Sequence, residues 1–159
     1  MIIHLPPFWI AGLNVIACLV LQTGIAWGVT QIRASRFRPD AWLYRKREWE
    51  RNGHLYEDLF HIRKWKTLLP DGAAWFKKGF AKKRLNERSA EYYRRFGMET
   101  CRGELAHWLQ IACAPLFFLW NPAWAGWAVA SFLLLANFPC LLAQRYNRIR
   151  LASSRMCRR

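Results

Sequence analysis

The chain has 159 residues, 53% of them hydrophobic, with 25 basic against 10 acidic side chains and a formal net charge of +15. That length suits about one domain, and so much apolar surface combined with so much charge excludes both a disordered tail and an ordinary soluble domain. Charge is also segregated: residues 1–32 hold no Asp, Glu, Lys or Arg, and all ten acids lie between Asp40 and Glu104. Blockwise separation is the pattern of a membrane protein with a basic face. Uncharged blocks of this length also argue against nucleic acid as the partner of the basic residues, and ten tryptophans suit an interfacial protein.

The first hydrophobic block, Phe8 to Gln31, is about 36 Å long as a helix, enough to cross a bilayer. It lacks a basic flank before it and is too long for a signal-peptide core, so it reads as a retained span. Gly24 and Gly28 offer a small-residue face, a pattern that chance spacing produces as readily as a helix interface. Arg33, Arg36, Arg38 and Arg45-Lys46-Arg47 follow, which places this end in the cytoplasm and the N-terminus outside. Asp40 as N-cap and Asn52-Gly53 as stop predict an amphipathic helix lying on the membrane surface. Next, Leu59 to Gly72 interleaves aromatic and basic residues and ends in a Pro70-Asp71-Gly72 turn. Ala74–Phe80 and Lys82–Phe96 are expected to be further short amphipathic helices. Residues 33–104 carry 19 basic and 10 acidic side chains and predict an ordered cytoplasmic layer.

From Leu105 to Gln144 there is no Asp, Glu, Lys or Arg, and His107 is the one histidine. Within it, Leu105–Trp120 spans only about 24 Å and Pro122–Gln144 about 34 Å, joined by a tight outer turn at Asn121-Pro122. A basic tail runs from Arg145 to Arg159. The expected fold is therefore an all-α integral membrane protein, a single domain with about three transmembrane helices. It comprises an N-terminal span at 8–31, an interfacial segment at 33–104 with amphipathic helices, a helical hairpin at 105–144 and a cytoplasmic tail at 145–159. Such a chain is multi-pass in the cell (inner) membrane with its C-terminus cytoplasmic; a re-entrant hairpin would leave the same residues on the same side. The five cysteines show neither metal spacing nor a disulfide framework.

Chemistry concentrates where the charged segment meets the hairpin. Glu104 and His107 are i,i+3 neighbours on one helix face, and ionisable groups at the mouth of an apolar helix mark a functional site. A carboxylate that orients an imidazole raises its basicity for general-base work. The competing reading pairs Glu104 with Arg102 or a tail arginine and leaves His107 as an interfacial polar residue. A Glu-x-x-His pair could also be half of a carboxylate-bridged metal site, but the other spans offer no second half, and no metal or cofactor is expected. The hairpin returns Gln144, Arg145, Asn147 and Arg148 beside that pair, on a face continuing to Asn137, where amides and guanidiniums can hold a polar head group. Arg63-Lys64-Trp65-Lys66 can bind anionic lipid headgroups or the phosphates of an acyl donor.

Three motifs carry a resemblance: Phe60-His61-Ile62-Arg63-Lys64-Trp65-Lys66 with Leu69-Pro70-Asp71-Gly72, then Glu99-Thr100-Cys101-Arg102-Gly103-Glu104-Leu105-Ala106-His107-Trp108, then Ala136-Asn137-Phe138-Pro139 with Gln144-Arg145-Tyr146-Asn147-Arg148-Ile149-Arg150-Leu151. Over roughly residues 40–151 the chain resembles the glycosyl-diaponeurosporenoate acyltransferases, membrane enzymes that esterify a sugar hydroxyl of a glycosylated carotenoid acid. The resemblance implies acyl transfer from acyl-CoA or an acyl carrier protein to a glycosylated carotenoid or another membrane glycolipid. His107 would then be the general base, Glu104 its orienting group, and Arg102, Asn137, Gln144, Arg145, Asn147 and Arg148 the sugar and oxyanion site. Arg63, Lys64, Trp65 and Lys66 would receive the donor. The rival reading is a non-enzymatic membrane accessory subunit that grips an anionic lipid with the same residues.

Overall fold

A computed structural model describes residues 6–69 and 89–153. It is all-helical among those residues. Helix α1 (Pro7–Gln31) opens on a proline in its first turn, where the missing N–H is no loss. It is apolar all round and only Val29 is buried in the chain, so its apolar surface is left largely uncovered by the rest of the described residues. It ends at Ile32, in extended backbone immediately before the first arginine.

The segment after α1 departs from expectation. In place of a helix from Asp40 to Asn52 there are turns, then a 3-10 stretch, Glu48–Gly53, that contains left-handed residues at Arg51 and Asn52. Asp40 caps no helix; it is exposed and pairs with Arg38 at 2.8 Å. Local propensity loses here to a tertiary demand, because Glu50 must turn inward, where it is fully buried. Gly53 ends that 3-10 stretch and is the N-cap of the next helix. Its φ of +93° suits glycine, and a Cβ there would stand 3.1 Å from the Arg150 side chain. It leads into α2 (His54–Phe60), and a left-handed His61 separates α2 from the single turn α3 (Ile62–Trp65). The expected helix Ala74–Phe80 lies outside the described residues, as do positions 82–88 of the next.

Helix α4 (Ala90–Ala112) begins at Ser89, whose hydroxyl accepts the Tyr92 N–H in a side-chain N-cap. Helix α4 runs unbroken from the charged segment into the apolar one, joining the expected helix that ends at Phe96 to the block that starts at Leu105. Only its last two turns are apolar, and Cys113 and Pro115 then convert the chain to a 3-10 stretch, Ala114–Leu119. Leu105–Trp120 is thus not a single helix of its own. Among the described residues two helices, not three, are long and apolar enough to cross a membrane: α1 and α5 (Ala123–Ser153). Helix α5 continues through Pro139 and is about 46 Å long.

Helices α4 and α5 form the expected antiparallel hairpin, with His107 facing Asn137 and Glu104 facing Arg148. Polar clasps fix α1 along it. Asn14 and Asn121 exchange amide hydrogen bonds at 2.9 and 2.8 Å, and Trp120 Nε1 donates to the same Asn14 oxygen. Gln110 Nε2 donates to the Gln22 carbonyl, and Arg102 to the Ile32 carbonyl. Buried apolar residues gather at the charged end, with Tyr56, Ile62, Tyr146 and Ile149 in one cluster and Val29, Phe37, Tyr44 and Cys101 in another.

Candidate active site

Around the start of the apolar part of α4 the structure assembles a buried ionic network. Glu104, 1% exposed, accepts from Arg145 Nη1 at 3.1 Å through Oε1 and from Arg148 Nη2 through Oε2. Arg145 also reaches Glu50 and the Leu43 and Arg45 carbonyls. Arg148 reaches the Tyr44 carbonyl at 3.1 Å and lies over the Tyr44 ring. Two carboxylates and two guanidiniums, with their backbone acceptors, compensate one another where single charges would be prohibitive.

Glu50 shows the balance. Burial alone would raise its carboxyl, but hydrogen bonds from Arg145, the Tyr56 hydroxyl and the Arg47 N–H, together with the Arg145 charge, hold it below the ordinary range. Tyr56, buried and bonded to that carboxylate, is pushed above the normal tyrosine range. Cys101 is no nucleophile: burial, above all, pushes its thiol up to about 11.

His107 sits one turn further along α4. Its Nδ1 lies 2.8 Å from Asn137 Oδ1 and 3.1 Å from Gln110 Oε1. The Glu104 carboxylate, expected to orient this ring, instead has its two oxygens engaged by guanidiniums, and amide oxygens take the place on Nδ1. The physical reason is competition: buried arginines outbid an imidazole for a carboxylate. In that respect the alternative reading, Glu104 paired with tail arginines, describes the geometry.

Of the other expected site residues, Arg102 is bound to both Glu99 oxygens at 3.0 Å and to the Ile32 carbonyl, so it clasps α1 to α4. Lys66 and Asn147 meet at 2.8 Å, and the Lys66 ammonium lies over the Tyr146 ring. Burial, reinforced by Arg63 and Arg150, pulls the Lys66 ammonium below the usual lysine range, against the pull of Glu57. Arg63 donates to the Tyr146 hydroxyl and pairs with Glu57 at 2.9 Å. Trp65 donates its indole N–H to the Phe60 carbonyl, a packing role, and Lys64 is exposed. Gln144 Oε1, Arg148 Nη1 and Arg102 Nε are buried without a hydrogen-bonding partner, a condition worth about 1–3 kcal/mol each until a ligand or water meets it. Among the described residues no group of three or more His, Cys, Asp and Glu side chains is arranged to hold a metal ion.

Sequence reasoning missed Glu50, Tyr56, Tyr44, Glu57, Tyr146 and Gln110. Gln110 alone carried a legible signal: it continues the i,i+3 series Glu104, His107 as one of few polar residues in an apolar block.

The class of protein follows from comparison with known sequences: this is an acyltransferase. A model of the glycosyl-4,4'-diaponeurosporenoate acyltransferase family matches residues 40–159, and the chain belongs to that family. Proteins of that name from Staphylococcus aureus strains bovine RF122 / ET3-1, USA300 and MRSA252 are each 29% identical to it over 133 residues, covering 84% of this chain and 80% of theirs. No solved structure matches it. Membership sets aside the reading as a non-enzymatic accessory subunit and ties the chain to carotenoid synthesis.

Proposed function

We propose that this enzyme moves a fatty acyl group from a phosphate-bearing thioester to a sugar hydroxyl of a glycosylated carotenoid or related glycolipid, at the cytoplasmic face of the cell membrane. The observation that carries the site assignment is the His107 imidazole, ring-oriented by amides and one helical turn from Glu104, on which Arg145 and Arg148 converge. In this mechanism the imidazole accepts the proton of the sugar hydroxyl while that oxygen attacks the thioester carbonyl. The negative charge developing on the carbonyl oxygen meets guanidinium N–H groups, with the unsatisfied Nη1 of Arg148 as the leading donor. Collapse of the tetrahedral intermediate breaks the C–S bond, and the imidazolium returns the proton to the departing thiolate. Gln144, Asn147 and Asn137 hold sugar hydroxyls. Lys66 and Arg63, three cations with Arg150 against the single carboxylate Glu57, bind the donor's phosphates, whether it is coenzyme A or an acyl carrier protein.

Orientation follows from charge: the basic residues of 33–104 and of the tail flank the cytoplasmic ends of the apolar blocks. His107→Ala should lower acyl transfer by about 10²–10⁴-fold, the range of general-base assistance, with expression and thermal stability retained. Lipid extracts of cells with the wild-type and variant enzymes, compared by mass spectrometry, would read the loss and name the acceptor as the glycolipid lighter by one acyl group. Undiminished ester in the variant would remove His107 from the mechanism.

A further inference from the structure

Gln110 and Asn137 stand in a relation to His107 that fixes more than its angle. An amide can present either its oxygen or its NH₂ to a ring nitrogen, and only a second partner decides which. Both amides have one. Asn137 Nδ2 donates to the Leu133 carbonyl at 2.8 Å, one turn earlier in α5. Gln110 Nε2 donates to the Gln22 carbonyl of α1 at 2.9 Å. Backbone carbonyls only accept, so each NH₂ is committed away from the ring and each side-chain oxygen is turned toward Nδ1. Two acceptors on one ring nitrogen require a proton there. Asn137 is 3% exposed and Gln110 7%, and reversing either amide would set its oxygen against a backbone carbonyl oxygen at hydrogen-bond distance, where two acceptors repel.

The geometry points to Gln110 and Asn137 as positioning residues that together hold neutral His107 in the tautomer with its proton on Nδ1, which makes Nε2 the basic nitrogen. Imidazole in water prefers the opposite tautomer, so the protein has to impose this one. Carboxylates commonly do so in histidine sites; here two amides do it, and no negative charge is placed beside the ring by the groups on Nδ1. The reactive nitrogen is thereby defined. Helix α1 takes part through the Gln22 carbonyl, which lies outside the segment matched by the family model.

This inference rests on the general-base reading for its catalytic meaning but not for its test. The full-length enzyme, labelled with ring-¹⁵N histidine and held in lipid nanodiscs at a pH where the imidazoles are neutral, would be compared by NMR with His107→Gln to assign the His107 signals. The expected spectrum shows Nδ1 as the protonated, pyrrole-type nitrogen and Nε2 as the pyridine-type one. Replacing both amides, Gln110→Leu with Asn137→Leu, should return the ring toward the solution preference, with Nε2 gaining the proton. A wild-type spectrum with the proton on Nε2 overturns the assignment, as does an unchanged tautomer in the double variant. If that variant does not fold, the wild-type spectrum decides alone. The spectrum needs no turnover, so a normal rate from His107→Ala together with an Nδ1–H spectrum would defeat the general-base reading and support the tautomer.

Discussion

Glu104→Gln separates a carboxylate that serves the fold from one that serves the reaction. The substitution keeps one carbonyl acceptor, removes a negative charge and turns an N–H toward a guanidinium. Arg145 retains Glu50, so the loss falls mainly on Arg148, 4% exposed, which is left with the Tyr44 carbonyl and ring. Removing one partner of a buried pair costs roughly 3–5 kcal/mol. The retained acceptor and the second carboxylate on Arg145 place this case at the lower end, about 3 kcal/mol. That is a large part of a total stability of roughly 5–15 kcal/mol. Tryptophan fluorescence during thermal unfolding in a mild detergent would read it as a clear fall in Tm. The double variant with Arg148→Met removes both charges and should be more stable than the sum of the two single losses by about 1 kcal/mol or more. A Glu104→Gln protein that melts like wild type yet transfers no acyl group would refute the argument, because its carboxylate would then act on the reacting groups and not on the arginines.

Lys66, with its ammonium pulled low by burial and by Arg63 and Arg150, loses its charge at a lower pH than an ordinary lysine; KM for the acyl donor should therefore climb at alkaline pH in wild type and stay flat in Lys66→Arg. Glu50 has a folded-state pKa below its unfolded value, so its stabilisation is complete above about pH 4.3 and is lost as pH falls through the lowered value. Glu50→Gln should flatten the acid limb of a Tm-against-pH curve while lowering its plateau. Asn121→Leu leaves Asn14 without its reciprocal amide and should destabilise by about 1–3 kcal/mol, whereas Asn14→Leu with Asn121→Leu should recover part of that loss. A cysteine placed at Ala123 should react with an impermeant thiol reagent from outside intact cells and one at Asp58 should not; labelling at 58 would reverse the proposed orientation.

Periodicity and charge made some of this legible and hid the rest for identifiable reasons. The apolar run through residue 31 and the return of Gln144–Arg148 beside residue 104 were readable, because an uncharged block bounded by arginines and a Pro-containing turn leaves few alternatives. The helix expected from Asp40 was not formed. Its capping signal is real but weak beside the demand of Arg145 for a buried carboxylate, and nothing in Glu48-Trp49-Glu50 tells which glutamate will turn inward. The same blindness affected Glu104: spacing along one helix suggested His107 as its neighbour, while its ligands lie 41 and 44 residues away. Local spacing finds neighbours on one helix, and the strongest partners of a buried charge come from another.

The Arg145 and Arg148 side chains also impose an order on assembly. Their partners at Leu43, Tyr44, Arg45 and Glu50 precede them in the chain by 95 to 104 residues. During synthesis the segment around Glu50 emerges long before either arginine exists, and at ordinary elongation of about 5–20 residues per second that interval lasts several seconds or more. Through it Glu50 must stay hydrated and the surrounding turns unset, since burying the carboxylate alone would be prohibitive. The layer of turns and short helices around Glu50 is accordingly the last part to close, sealed when the end of α5 arrives. A chain truncated before residue 145 would keep its apolar helices but could never complete that layer, and the exposed loop it leaves is where a quality-control protease would begin.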